Sequence, residues 1–205
     1  MFIDSTFSNV IVIIISLIVS IVIHEYMHGY VAHLLGDMTA SDEGRLSLNP
    51  LKHIDPVMTI LLPIVSFVVL HVPFLAAKPV PFNPNNLKYD EFGVALVAAG
   101  GPLSNLLLAI ISGLFVNHVF VSGSFLASAF TIFTIINVAL FVFNMIPISP
   151  LDGSRVLYAF SPEPVQRFLM AIEPYGIFIV FALVLYGGLG NVLGSIDQSV
   201  LNLLP

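Results

Sequence analysis

Residues 10–23 read VIVIIISLIVSIVI and run straight into His24-Glu25-Tyr26-Met27-His28. An apolar run of this kind predicts a membrane helix. The H-E-x-x-H spacing at its end places two imidazoles one helical turn apart on one face, with a carboxylate beside them. As a helix the run covers about 20 Å. In a hydrocarbon core about 30 Å thick, His24 then lies past the midplane, nearer the far face. A metal site inside a membrane, but away from its centre, is the hypothesis that the rest of the chain must meet.

Composition supports the membrane reading. The 205 residues are 58% hydrophobic and only 9% charged, with a mean hydropathy of +1.02, whereas a soluble domain carries about 25% charged residues. The net charge of −6 contains no basic run, which argues against nucleic acid as a partner. There is no cysteine, so a metal must be held by nitrogen and oxygen. The first helix lacks a basic leader, carries Asp4 and continues into the His-Glu motif. It is expected to stay in the protein rather than be cleaved as a signal peptide.

Outward from the motif, the first helix is predicted over 8–35, with Gly36 as its stop. Residues 37–55 are polar, and the alternation over 44–49 suggests a short β-like strand. Residues 57–72 are apolar but short, interrupted by Pro63 and closed by Pro73. Residues 74–91 hold three prolines and read as an extended, turn-rich segment. The next helix is expected over 92–117, where Ala95, Ala98, Ala99 and Gly100 suit close approach to a neighbouring helix. A further span runs over 125–145, a last one over 168–186, and the tail 187–205 suits the membrane interface. No internal repeat is visible. The chain reads as one domain over 1–205 with a core at 8–160.

The six basic residues fall in three segments: Arg45 with Lys52, Lys78 with Lys88, and Arg155 with Arg167. The positive-inside rule puts all three in the cytoplasm, which requires that 57–72 not cross once, but enter the membrane and return, or lie buried against other helices. Helix parity makes the same demand, because a full crossing there would put His24 and Asp152 near opposite faces. Irregular backbone at membrane depth is tolerated where it lines a cavity in the protein. The expected fold is therefore an all-α polytopic membrane protein. It has about four transmembrane helices, a re-entrant or short apolar segment, and short β-like elements near the active site.

His24 and His28 offer two metal ligands, and Glu25 is placed to act as general base on a metal-bound water. The bland alternative is two buried histidines and a chance glutamate. Ionisable groups at this depth cost about 2.5–3.5 kcal/mol each on insertion scales, which weighs against chance. Catalytic zinc takes three protein ligands and one open position. Asp152, at a helix end broken by Pro147 and Pro150 and followed by the conformationally free Gly153, is the best third ligand. His53, beside polar loop residues, is a candidate supporting group outside the ligand set.

His24-Glu25-x-x-His28 together with Asn144-x-x-Pro147-x-x-x-x-Asp152-Gly153 resembles the site-2 protease family of intramembrane zinc metalloproteases. Gly101-Pro102-Leu103-Ser104-Asn105 is similar to that family's glycine-proline-asparagine motif. Residues 44–56 and 77–84 resemble its compact bacterial branch, without a PDZ or CBS module, although Met58 stands where that branch has glycine. The resemblance covers about residues 20–160. It implies one zinc per chain on His24, His28 and Asp152, with Glu25 assisting attack by zinc-bound water. It also implies a transmembrane protein substrate within the lipid bilayer. Asn144 and Asn105 are similar in position to family asparagines, which could support the oxyanion or the substrate, or simply join helices. The localisation implied is a bacterial cytoplasmic membrane, multi-pass, with the active site toward the cytoplasm. A non-proteolytic membrane metalloprotein and a transporter are the rival readings. The first would show a lost base or ligand, and the second an inverted repeat.

Overall fold

In hydrocarbon every backbone polar group must be satisfied within the protein, so long apolar runs become unbroken helices. The computed structural model describes residues 5–55 and 78–185 with isolated positions between them. Its helices are α1 (Ser5–Leu34), α2 (Thr39–Asp42), α3 (Asp90–His118), α4 (Phe125–Asn144), α5 (Asp152–Phe160), α6 (Glu163–Ile172) and α7 (Gly176–Leu185). Short 3-10 turns lie at Pro50–Lys52, Pro84–Asn86 and Glu173–Tyr175. Among the described residues, three helices are long and apolar enough to cross a membrane: Phe7–Leu34, Asp90–His118 and Phe125–Asn144.

The burial pattern is that of a bundle in lipid. Ile14, Ile15 and Ile18 of α1, and Leu103 and Leu107 of α3, are exposed, whereas Ser20, Ala98, Asn105 and Ala109 are buried. Large apolar side chains face outward and small or polar ones face inward, because lipid tails already satisfy the former. Helix α3 is the hub, packing on α1, α4 and α5. The approach is close at Gly100, where a Cβ would come within 3.0 Å of Val31 Cγ2 and 3.2 Å of Met27 O.

Helix α1 stops where the sequence places its stop, with Gly36 at φ +107°, a left-handed conformation that glycine adopts without Cβ strain. The chain then returns to the same end of the bundle. Lys88 N–H donates to Leu35 O at 2.9 Å and Lys78 N–H to His53 O at 3.0 Å. So α3 starts beside the end of α1 and runs antiparallel to it, and α4 returns in the direction of α1. The re-entrant expectation for 57–72, and Met58 within it, lie outside the described residues, as does the tail 187–205.

Asp37 ties this end together. Fully buried, its carboxylate accepts from Thr39 N–H (3.3 Å), Thr39 Oγ1 (2.6 Å), Asn83 N–H (2.8 Å) and Asn86 Nδ2 (3.0 Å). Burial pushes this carboxyl up, but the hydrogen bonds from Thr39, Asn86 and Asn83 outweigh it and hold the group below its usual value of 3.8. A depressed carboxylate stabilises the fold above its unfolded pKa and loses that contribution as pH falls through the folded one. Thermal unfolding in detergent should therefore show an acid-labile component below pH 3.8 that Asp37→Ala lacks. At neutral pH the variant should be about 3 kcal/mol less stable, because four donors lose a buried acceptor.

Three expectations need correction. Residues 44–49 form no strand: Arg45 and Leu46 N–H both donate to Ala40 O, and Ser47 N–H to Arg45 O. These local turns use the donors that a ladder would need. Among the described residues there is no β-strand, so the β-like elements expected near the site are turns and extended chain. The expected span over 168–186 is divided by the turn at Glu173–Tyr175, where Pro174 has no N–H to continue the α-helical ladder. Its described apolar part is the ten-residue α7. Gly153 is helical, within α5, so freedom to turn is not its role. A Cβ there would meet Met145 O at 2.3 Å, so glycine lets the start of α5 lie against the chain leaving α4.

Candidate metal centre

His24 and His28 face the middle of α3, and their Nε2 atoms are 3.0 Å apart. Asp152, the first residue of α5, brings Oδ2 to 3.2 Å from His24 Nε2 and 3.3 Å from His28 Nε2. Among the described residues this is the cluster of histidine and carboxylate ligand atoms that could hold a metal ion. A tetrahedral zinc with bonds of about 2.0–2.1 Å separates its ligand atoms by about 3.3 Å, so the three edges fit. Asp152 brings negative charge to the set, since a carboxylate must be ionised to act as a ligand.

The rings are fixed from behind. His28 Nδ1 lies 2.7 Å from Val97 O. A carbonyl can only accept, so Nδ1 carries the proton and Nε2 presents its lone pair. His24 Nδ1 lies 2.6 Å from Asn105 Oδ1. The wall beside the two Nε2 atoms is Gly101, where a Cβ would stand 2.5 Å from His28 Nε2 and 2.6 Å from His24 Nε2. The cradle exists because that side chain is absent.

Glu25 is held apart from the ligand trio. Its Oε2 accepts the N–H of Val80 at 3.0 Å, and the Val80 side chain lies over Gly29, where a Cβ would approach Val80 Cγ1 to 3.0 Å. Segment 78–80 is in turn anchored by Arg45, which is buried. Its guanidinium donates to Lys52 O, to Lys78 O at 2.8 Å and to Pro79 O at 3.3 Å. His53, also buried, bonds Ser47 O through Nε2 at 2.7 Å. It therefore braces the loop that carries Arg45, and its ring is directed to that loop and not to the ligand trio. Arg45→Lys cannot span three carbonyls from one planar fork, so the backbone donor on Glu25 should loosen. Amide hydrogen exchange at Val80 should quicken about tenfold, the mark of a local opening made easier, with metal binding unchanged.

Asn144 is the last residue of α4, and its amide donates to Leu140 O of its own helix at 2.9 Å. Asn105 is at the centre, but its amide nitrogen is turned away from the ligand trio, toward Asn137 Oδ1 (2.9 Å) and Ser20 O (3.4 Å). Sequence reasoning passed over Arg45, Val80, Ser20 and Asn137. Arg45 counts as a topology charge, and nothing local marks it as a bracket for backbone carbonyls. Asn137 had a signal: Ser128, Thr131, Thr134 and Asn137 recur every third residue along an otherwise apolar helix.

No family model matches the chain, and no solved structure does. Two curated proteins are similar along most of it. "Putative zinc metalloprotease YwhC" of Bacillus subtilis is 37% identical over 187 residues, covering 87% of this chain and 82% of that protein. "Putative zinc metalloprotease Rip2" of Mycolicibacterium smegmatis is 26% identical over 162 residues, covering 78% of this chain and 61% of that protein. The apolar helices make the chain an integral membrane protein. With His24 and His28 of the first of them converging on Asp152, and a relative that similar over most of both lengths, the chain belongs to the site-2 protease family of zinc metalloproteases.

Proposed function

We propose that this protein is an intramembrane zinc endopeptidase that cuts transmembrane protein substrates. One zinc per chain is held by His24 Nε2, His28 Nε2 and Asp152 Oδ2. The observation that carries the reading is the convergence of these atoms, 3.0–3.3 Å apart, beside a glutamate on a membrane helix. The bound ion supplies Lewis-acid polarisation of the scissile carbonyl and acidifies water. Glu25 is the general base and acid: its carboxylate takes a proton from the attacking water and delivers it to the leaving amine as the C–N bond breaks. The Val80 N–H holds Oε2 and leaves Oε1 for this transfer. Asn105 and Asn144 are assigned no contact with the reacting atoms, and His53 acts through the Arg45 loop.

A peptide bond inside a helix is shielded, so the substrate must unwind locally. Residues 78–83 run beside Glu25 without a strand partner among the described residues, and can receive an extended stretch of substrate. The basic segments around Arg45, Lys78 and Arg155 lie at the His24 end of the bundle, which supports a site facing the cytoplasm of a bacterial membrane. The test is to reconstitute the purified protein with a single-span substrate and to map the products by mass. Zinc-dependent cleavage within the span, abolished by a zinc chelator and restored by added zinc, is expected. Cleavage that is insensitive to chelation would overturn the reading.

A further inference from the structure

We propose that Asn137 of α4, which touches no metal ligand, sets the tautomer of His24 through a two-amide relay and so keeps His24 Nε2 free to bind zinc. The inference rests on the reading of the centre as a zinc site. The relay is built from three helices. Asn137 and Asn105 are both fully buried, as is Ser20. His24 Nδ1 meets Asn105 Oδ1 at 2.6 Å. Asn105 Nδ2 meets Asn137 Oδ1 at 2.9 Å. Asn137 Nδ2 meets Ser20 Oγ at 2.9 Å and Phe133 O at 2.9 Å.

The direction of each bond follows from the end of the chain. Phe133 O is a backbone carbonyl and only accepts, so the Asn137 nitrogen must face it. Asn137 Oδ1 then faces Asn105 and demands a donor, which fixes the Asn105 nitrogen on that side. The longer contact from Asn105 Nδ2 to Ser20 O, 3.4 Å, requires the same orientation. Asn105 Oδ1 is left toward His24 and accepts from Nδ1–H. A neutral imidazole carries one proton, so Nε2 is bare. If Asn105 were turned over, its NH2 would face His24 Nδ1 and favour the other tautomer, with a proton on Nε2 where zinc must bind.

His28 needs no such device, because its Nδ1 reaches Val97 O directly. The two ligands are therefore controlled differently. One answers to a carbonyl that cannot reverse, the other to an amide that can, and Asn137 removes that freedom. Partners outside the ligand set that orient a metal-binding histidine are generally worth 10–100-fold in metal affinity.

The test uses full-length protein in detergent, loaded with zinc and titrated with a competing chelator. The unfolding temperature of the metal-free protein serves as a fold control. Asn137→Leu should weaken zinc binding at least about tenfold. Asn137→Asp should bind like wild type: buried and neutral, its O–H stands in for the amide nitrogen toward Phe133 O, and its carbonyl still accepts from Asn105. The decisive arm adds Asn105→Asp to Asn137→Leu. The carboxyl group at 105, ionised or with its O–H given to Ser20 O, presents an acceptor to His24 Nδ1, so zinc affinity should return although the α4 side of the network remains broken. Asn137→Leu binding zinc like wild type would overturn the relay. So would a loss that Asn105→Asp does not repair, which would make Asn137 a packing residue. Wild-type protein that binds no zinc would overturn the reading of the centre itself, and the relay with it.

Discussion

Glu25→Gln should leave zinc bound and remove peptide hydrolysis, lowering kcat about 10²–10⁴-fold, the usual contribution of a positioned proton-transfer group. The substitution is nearly isosteric, and the Val80 N–H, 3.0 Å from Oε2, decides how the new side chain sits. That donor needs an acceptor, so the glutamine carbonyl oxygen faces Val80 and the NH2 occupies the place of Oε1. A base becomes a hydrogen-bond donor that cannot accept a proton. Since Glu25 contributes no atom to the His24, His28 and Asp152 trio, zinc content and substrate affinity should stay near wild type. The checks are zinc analysis beside single-turnover cleavage of a membrane-embedded substrate. Turnover within a factor of a few of wild type would remove Glu25 from the chemistry.

The second large effect comes from one methyl group. Gly101→Ala should weaken zinc binding more than about 100-fold, beyond the range for partners outside the ligand set, while the helix that carries it stays intact. By propensity alone the change stabilises a helix by about 1 kcal/mol. But the added Cβ would lie 2.5 Å from His28 Nε2, 2.6 Å from His24 Nε2 and 2.7 Å from His24 Cε1. Backing α3 away from α1 would give up the close contact of Gly100 with Met27 O and Val31 and is opposed by α4 and α5, which also pack on α3. The rings must swing out instead, breaking the bonds to Val97 O and Asn105 Oδ1. Chelator competition on the purified variant, with the unfolding temperature of the metal-free form measured beside it, separates the two effects. A variant that holds zinc as wild type does would mean that the open volume beside Gly101 is not where the ion sits.

These expectations show what the sequence carried and what it could not. Position along a helix is a local property, so the pairing of His24 with His28, the stop at Gly36 and the extents of α3 and α4 could be read within a residue or two. Asp152 was reachable because charge and parity constrain which helix ends meet. The glycine-proline-asparagine motif was visible as a resemblance, but its physical meaning was not. Gly101 matters for what a Cβ would strike across a helix interface, and Asn105 for the direction in which its amide points. Neither follows from spacing. Arg45 was harder still: it reads as a surface charge, yet it is buried as a bracket for three backbone carbonyls. The strand expected over 44–49 failed for the same reason, because its donors turn back to Ala40 O in a loop that exists to place that guanidinium. Pro174 did carry a usable signal, and it divides what hydropathy alone treats as one span.

If His24, His28 and Asp152 together hold a catalytic zinc, taking away the one carboxylate must release it, which the zinc content of purified protein, wild type against Asp152→Ala, reads out. Wild type should carry about one zinc per chain, as a three-ligand catalytic site does, and the variant should lose that zinc at equal folded protein. Stoichiometric zinc retained in Asp152→Ala, or a wild-type protein that takes up none when zinc is supplied, would contradict that three-ligand site.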